Sequence, residues 1–429
     1  MTSLWHPFAD MAAVERDGEL IVASGEGATV RDAGGREYLD LTAGLWFANV
    51  GHGRAEIAAA MGSQAQVMAS YSTFGDIANA PALELADRLA DLAPMDAAKV
   101  FFTSGGSDSV DTAAKLVRRY WSVAGHPGRT TIIIRERAYH GMHWGGTAMA
   151  GISANRAGYG DWGAAVVTAA WDDVSDLERT IDELVDEDGE STAAAFFCEP
   201  VIGAGGVHFA GDSYLREARE LCRSRGVLWV SDEVITGYGR TGAWFASTRF
   251  DLAPDVVLSA KGLTSGYMPM GAVLVSAEVA RPFWSGEAGL WRHGYTYSGH
   301  AVAAAAALAN LDIIEREGLL ERVMELEPQL TSILGELGSH PLVAEVRSGV
   351  GLLAAVQLKP DVLAHDPSVM PRLLSDLRTR GILTRGLVDG SLQVSPAFVI
   401  TPEQLKVATS AVWESLDAVS AAASAGVPE

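Results

Sequence analysis

Lys261 and Asp232 are the two residues whose types and spacing carry the most chemistry in this chain. Lys261 lies in SAKGLTSGYMPMGA, directly after an apolar run and before glycines that let the backbone come close to a ligand. Apolar surroundings disfavour its ammonium form, which leaves a neutral amine able to form an imine with an aldehyde. The plain alternative is a lysine whose stem lies on a strand end with its ammonium in water. Asp232 closes an earlier apolar run, VLWVSDEV, one strand-helix-strand unit upstream, so both side chains emerge at the same edge of a parallel sheet. A carboxylate there keeps a pyridine nitrogen protonated while the lysine carries the aldehyde and moves protons, the pair that pyridoxal 5′-phosphate (PLP) requires. A helix N-cap is the other reading of Asp232, but no helical pattern follows it directly.

A phosphate needs its own cradle. Gly105-Gly106-Ser107-Asp108 falls between the run KVFFT and a helix expected to begin near Ser109, so free backbone N–H groups and the positive end of the helix face one point. Glycine-rich turns between strand and helix also arise for geometric reasons alone. Tyr139, in Tyr139-His140-Gly141, ends a further apolar run and offers a ring to stack on one face of a cofactor. Val234, two residues beyond Asp232 and hence on the same side of the chain, would cover the other face. Glu199, at the end of AAAFFCEP, is either a site residue hydrogen-bonding cofactor or substrate, or a buried structural acceptor.

The elements that must position these groups are legible between residues 99 and 276. Seven short runs recur there: KVFFT, TTIIIR, AVVTA, AAAFFCE, VLWVSDE, DVVLSA and GAVLVS. Each is continuously apolar, as strands buried on both faces are, and segments between them such as 108–123 and 214–225 carry helical spacing. The fold class is therefore α/β, a mostly parallel seven-stranded sheet flanked by helices, with ligands beyond the carboxyl ends of the strands. Residues 1–50 read as an N-terminal arm and part of a smaller α+β domain, 51–304 as the large cofactor-binding domain and 305–429 as the remainder of the small domain.

Charge narrows the function classes. A net charge of −22 on 429 residues disfavours a nucleic-acid or anionic-membrane partner, because such surfaces need clustered Lys and Arg. The start, MTSLWHPFADM, does not read as a secretory signal, and the alanine-rich stretch 301–311 is too short to span a bilayer. Cys198 and Cys222, the only cysteines, form no disulfide framework and are too few for a structural zinc site, so no metal is expected and the cytoplasm is the expected compartment.

The motifs SDEVITGYGRTG, SAKGLTSGYMPMGA and HGYTYSGHAVAAAAAL together resemble the class III, ω-aminotransferase-like family of fold type I PLP enzymes. The likeness runs from Trp5-His6-Pro7 and YLDLTAGLWFANVGHG to LQVSPAFVITPEQL. It implies Lys261 as the imine-forming lysine, Asp232 as the pyridine partner, Gly106 and Ser107 on the phosphate, Tyr139 on the ring and Val234 behind it. It further implies a homodimer with shared sites, in which Tyr295 and Thr296 reach the phosphate from a neighbouring subunit. Two departures stand out. Ser104-Gly105-Gly106-Ser107-Asp108-Ser109-Val110 replaces Asn-Ser-Gly-Ser-Glu-Ala-Asn, and Ala301 replaces a frequent proline at a helix start.

On the substrate side, Trp46 matches a tryptophan lining the pocket of ω-amino acid:pyruvate and amine:pyruvate relatives; a core tryptophan is the alternative. Arg385 aligns with their mobile arginine, whose planar fork grips a carboxylate, although the stretch 385–395 is one residue longer here. Gly386 and Gly390 would let the loop carrying Arg385 swing. Arg240 reads as structural. The implied reaction moves an amino group from an ω- or β-amino acid or primary amine to an α-keto acid such as pyruvate. A PLP isomerase, aminomutase, epimerase or lyase is the alternative on the same scaffold, as is diaminopelargonic acid synthesis, suggested by the Trp-His-Pro start alone.

Overall fold

The structure is a computed structural model that describes residues 2–163 and 165–425, with side chains described up to residue 421. Fourteen strands occur among the described residues: β1 Val22–Glu26, β2 Thr29–Asp32, β3 Glu37–Asp40, β4 Lys99–Thr103, β5 Thr131–Arg135, β6 Val166–Ala169, β7 Ala193–Cys198, β8 Leu228–Asp232, β9 Val256–Ser259, β10 Gly271–Val275, β11 Val343–Val350, β12 Leu353–Leu358, β13 Ile382–Leu383 and β14 Ser391–Val394. All seven apolar runs become strands of one sheet, in the order β4-β10-β9-β8-β7-β5-β6. β10 runs antiparallel to both its neighbours, and the pairs from β9 across to β6 are parallel. The five inner strands are buried throughout, while β4 and β6, at the two edges, leave one or more positions partly or fully open to solvent. Continuous apolar runs were needed only where helices cover both faces.

Two smaller sheets complete the fold. β13, from the C-terminal part of the chain, pairs in parallel with β3 from the N-terminal part, so the two ends share the sheet β1-β2-β3-β13. β11, β12 and β14 form the other. The helix Ala301–Arg316 buries ten of its residues, its alanines packing against the helices Ala55–Val67 and Ala80–Leu92. The missing proline at 301 is compensated by His300, whose Nδ1 accepts from the N–H of Ala303 as the N-cap. Among the described residues no helix is long and apolar enough to cross a membrane.

Candidate active site

β8 ends on Asp232, and Ser259 at the end of β9 leads through Ala260 into Lys261, so adjacent parallel strands deliver both groups to one edge. Lys261 adopts φ 44°, a left-handed conformation that costs a non-glycine residue roughly 1–3 kcal/mol. The turn that holds it is fixed by Asn310, whose Nδ2 donates to the carbonyls of Gly262 (2.8 Å) and Leu263 (3.0 Å). Removal from water lowers the Lys261 pKa to about 8; Asp232 and Glu199 oppose that shift and Arg385 adds to it. Lys261 thus faces the cavity with burial acting against its charged form.

Asp232 is no helix cap, since the next helix begins only at Ala246. Its Oδ1 accepts from the N–H of Val234 (3.2 Å) and its Oδ2 meets His140 Nδ1 at 2.7 Å. His140 is fully buried, edge-on to Phe197, and its Nε2 has no hydrogen-bond partner among the described residues. A ring nitrogen on one carboxylate oxygen holds the other part of Asp232 in a single orientation. This role of His140 was not assigned from the sequence; its one signal was a buried-type position next to Tyr139 at a strand end. Glu199 resolves toward a positioning role: its Oε1 accepts from Tyr139 N (2.9 Å) and its Oε2 from Gly203 N (3.0 Å), which ties Tyr139 to the end of β7. Burial raises the Glu199 pKa, with His140 and the two N–H groups acting against that.

The phosphate cradle differs from expectation in one respect. The helix spans Gly106–Val123 and so begins three residues before Ser109, placing Gly106, Ser107 and Asp108 in its first turn with their N–H groups outside the helical ladder. Asp108 Oδ2 accepts from Ser104 N (2.9 Å), a contact that rewards the earlier start by closing the turn. A Cβ on residue 106 would lie 2.8 Å from Val234 Cγ1, so glycine is required where Val234 packs against the cradle. Ser107 Oγ accepts from Met142 N at 3.2 Å.

Trp46, 2% exposed, is at once a core residue and part of the cavity wall. The Arg385 guanidinium lies 4.3 Å from its ring centroid and Lys261 Nζ 5.5 Å from it. Burial lowers the Arg385 pKa to about 10, Tyr139 opposing. The segment carrying Arg385 is a β-hairpin arm rather than a swinging loop. Gln393 N donates to Arg385 O (3.0 Å) and Leu387 N to Ser391 O (2.7 Å), around a three-residue turn closed by Gly390 at φ 82°. Asp389 in that turn accepts from Ser391 Oγ (2.6 Å) and from Arg347 Nη2 (2.6 Å). These bonds pin the backbone that carries Arg385. Arg240 is structural as expected: its guanidinium reaches Asn49 Oδ1 (2.8 Å), Pro396 O (2.5 Å) and Leu352 O (3.3 Å) and lies over Phe398.

Trp46, Gly106, Ser107, Tyr139, Glu199, Asp232, Val234, Lys261 and Arg385 line one cavity of about 600 Å3. Tyr295 and Thr296 do not. Tyr295 donates to Asp108 O (3.1 Å) from outside the helix Gly106–Val123, and Thr296 is exposed. Phe8, Leu45, Ile152, Asn155 and Val388 also line the cavity, from loops and short helical turns that carry no periodic signal.

The family model for class-III aminotransferases matches residues 11–416. The chain belongs to the class III aminotransferase family. Putrescine–pyruvate aminotransferase of Pseudomonas aeruginosa is 37% identical to this transaminase, over 97% of this chain and 94% of its own. β-Alanine–pyruvate aminotransferase of the same organism is 35% identical, over 97% and 95%. An (S)-enantioselective ω-transaminase from Thermomicrobium roseum superimposes with a TM-score of 0.91 at 38% identity, over 96% of both chains. The family depends in general on PLP. The cavity's donor set fits that group: a lysine of lowered pKa, a carboxylate held by a buried histidine, and unladdered N–H groups at the start of a long helix.

Proposed function

We propose that this transaminase binds PLP on Lys261 and moves an amino group from an ω- or β-amino acid or a primary amine to an α-keto acid such as pyruvate. The observation that carries the reading is the placement of Lys261 and Arg385 over the same Trp46 ring in one cavity. When bound, PLP supplies an electron sink that acidifies the C–H of the amine-bearing carbon. Lys261, whose lowered pKa leaves a substantial neutral fraction near pH 7.5, is the base that takes and returns that proton. Asp232, oriented by His140, would keep a positive charge on the pyridine nitrogen. Gly106, Ser107 and the helix start would hold the phosphate, Tyr139 one ring face and Val234 the other. Arg385 offers a half-buried fork to the keto-acid carboxylate, flanked by apolar walls that suit an alkyl or aryl donor.

A second copy of the chain would complete the phosphate site with Tyr295 and Thr296. The exposed Tyr71, Phe74, Trp144 and Tyr297 support that association. Cys198 and Cys222 are both unpaired, which suits a reducing, cytoplasmic setting. The test is a panel of donors, β-alanine, putrescine and sec-butylamine, offered with pyruvate or 2-oxoglutarate while alanine or glutamate is measured. Amino loss in step with alanine supports the reading. Conversion of a donor without any keto acid would point to an isomerase or lyase instead.

A further inference from the structure

We infer that Gln393 is a specificity-determining residue: it holds Arg385 in its inward rotamer and so sets how the cavity weighs carboxylated substrates against amines that lack a carboxylate. The inference builds on Arg385 as the carboxylate-binding group. Gln393 lies directly opposite Arg385 across the hairpin, a pairing that brings side chains on one face into contact. Its Oε1 accepts from Arg385 Nε at 2.7 Å. That bond engages the nitrogen on the guanidinium's inner edge and leaves both terminal nitrogens for a carboxylate approaching end-on. Two residues along the chain, Ser395 Oγ accepts from Trp46 Nε1 at 3.1 Å, and the Trp46 ring lies under the same guanidinium. Gln393, Arg385, Trp46 and Ser395 thereby form a chain of contacts in which the arginine's position is set from two sides.

The consequence lies in what happens when Arg385 turns outward to admit a donor without a carboxylate. Gln393 is fully buried and its Nε2 already has no hydrogen-bond partner among the described residues. Losing Arg385 would strip the partner from Oε1 as well, and a buried amide with neither end paired is costly. Gln393 therefore favours the inward rotamer, which serves pyruvate and taxes uncharged donors.

Gln393→Met keeps length and removes both polar atoms. In the holoenzyme it should raise the KM for pyruvate about tenfold, the size of one hydrogen bond to a charged group, with kcat within about twofold. In the same variant, kcat/KM for sec-butylamine should rise severalfold. Gln393→Glu keeps the acceptor and adds a charge that binds Arg385 more firmly, so its sec-butylamine kcat/KM should fall below that of the unaltered enzyme. This variant carries the test if the methionine variant does not fold. Movement of sec-butylamine in the same direction in both variants, or equal losses for both substrates, would overturn the inference. Arg385→Ala separates the two levels. If it leaves the pyruvate KM unchanged, Arg385 is not the carboxylate group and the underlying reading falls. If it raises that KM while Gln393→Met does not, only the role of Gln393 falls. In the double variant the methionine should add nothing to the alanine.

Discussion

The Lys261 amine should titrate far below an ordinary lysine in the enzyme freed of cofactor. Burial brings its pKa from 10.5 to about 8. At pH 7.5 a group with a pKa near 8 is about one quarter neutral, against about one thousandth for an unperturbed lysine, so the reactive amine is enriched roughly 240-fold. The signs of two substitutions follow from the charges around it. Asp232 raises this pKa, so Asp232→Asn should move the midpoint further down; Arg385 lowers it, so Arg385→Ala should move it up. The assay is pulsed reductive methylation with formaldehyde across pH 6–10, the Lys261 peptide being quantified by mass spectrometry. The same shift enters stability. Between about 8 and 10.5 the unfolded chain holds this proton and the folded one does not, so the group's penalty is full below 8 and fades as pH rises through that window. A midpoint near 10.5, or shifts of the wrong sign in the two variants, would refute the reasoning.

Three further outcomes are expected. Lys261→Ala should abolish turnover while the cofactor still binds through its phosphate and ring, and borohydride should leave no covalent adduct; reduction onto another lysine in the unaltered enzyme would remove Lys261 from the role. Asp232→Asn should lower kcat by orders of magnitude with only a small change in cofactor affinity, since it removes a charge and not a packing contact, and near-normal activity would refute it. Arg240→Met strips the donor from Asn49 Oδ1, Pro396 O and Leu352 O, a loss of about 3 kcal/mol, and should lower the melting temperature by roughly 3 °C.

Much of the site could be read from the chain because it depends on strand ends. Apolar runs buried on both faces announce a parallel sheet, and the polar residue that stops each run, Asp232, Glu199 or Lys261 a short step later, stands where such sheets bind ligands. Where a helix begins was less legible. Gly105-Gly106-Ser107 looks like a turn, yet the contact from Asp108 back to Ser104 draws two of those residues into the helix.

Residue types and run lengths by themselves pointed to the sheet and to the lysine and aspartate at its edge, since these follow from local burial, whereas the need for glycine at 106 comes from Val234 packing against it. Tertiary structure alone decided which side chains meet across long separations. His140 reaches Asp232, and Ser395 reaches Trp46, only because segments 92 and 349 residues apart in sequence are folded against each other. The hairpin that pins the Arg385 backbone is short-range, but its two glycines fit a free loop equally well. What selects the hairpin is Asp389 closing its turn and clasping Arg347, 42 residues upstream. A hydrogen bond of that kind leaves no period in the sequence; it exists only once the packing has brought donor and acceptor together.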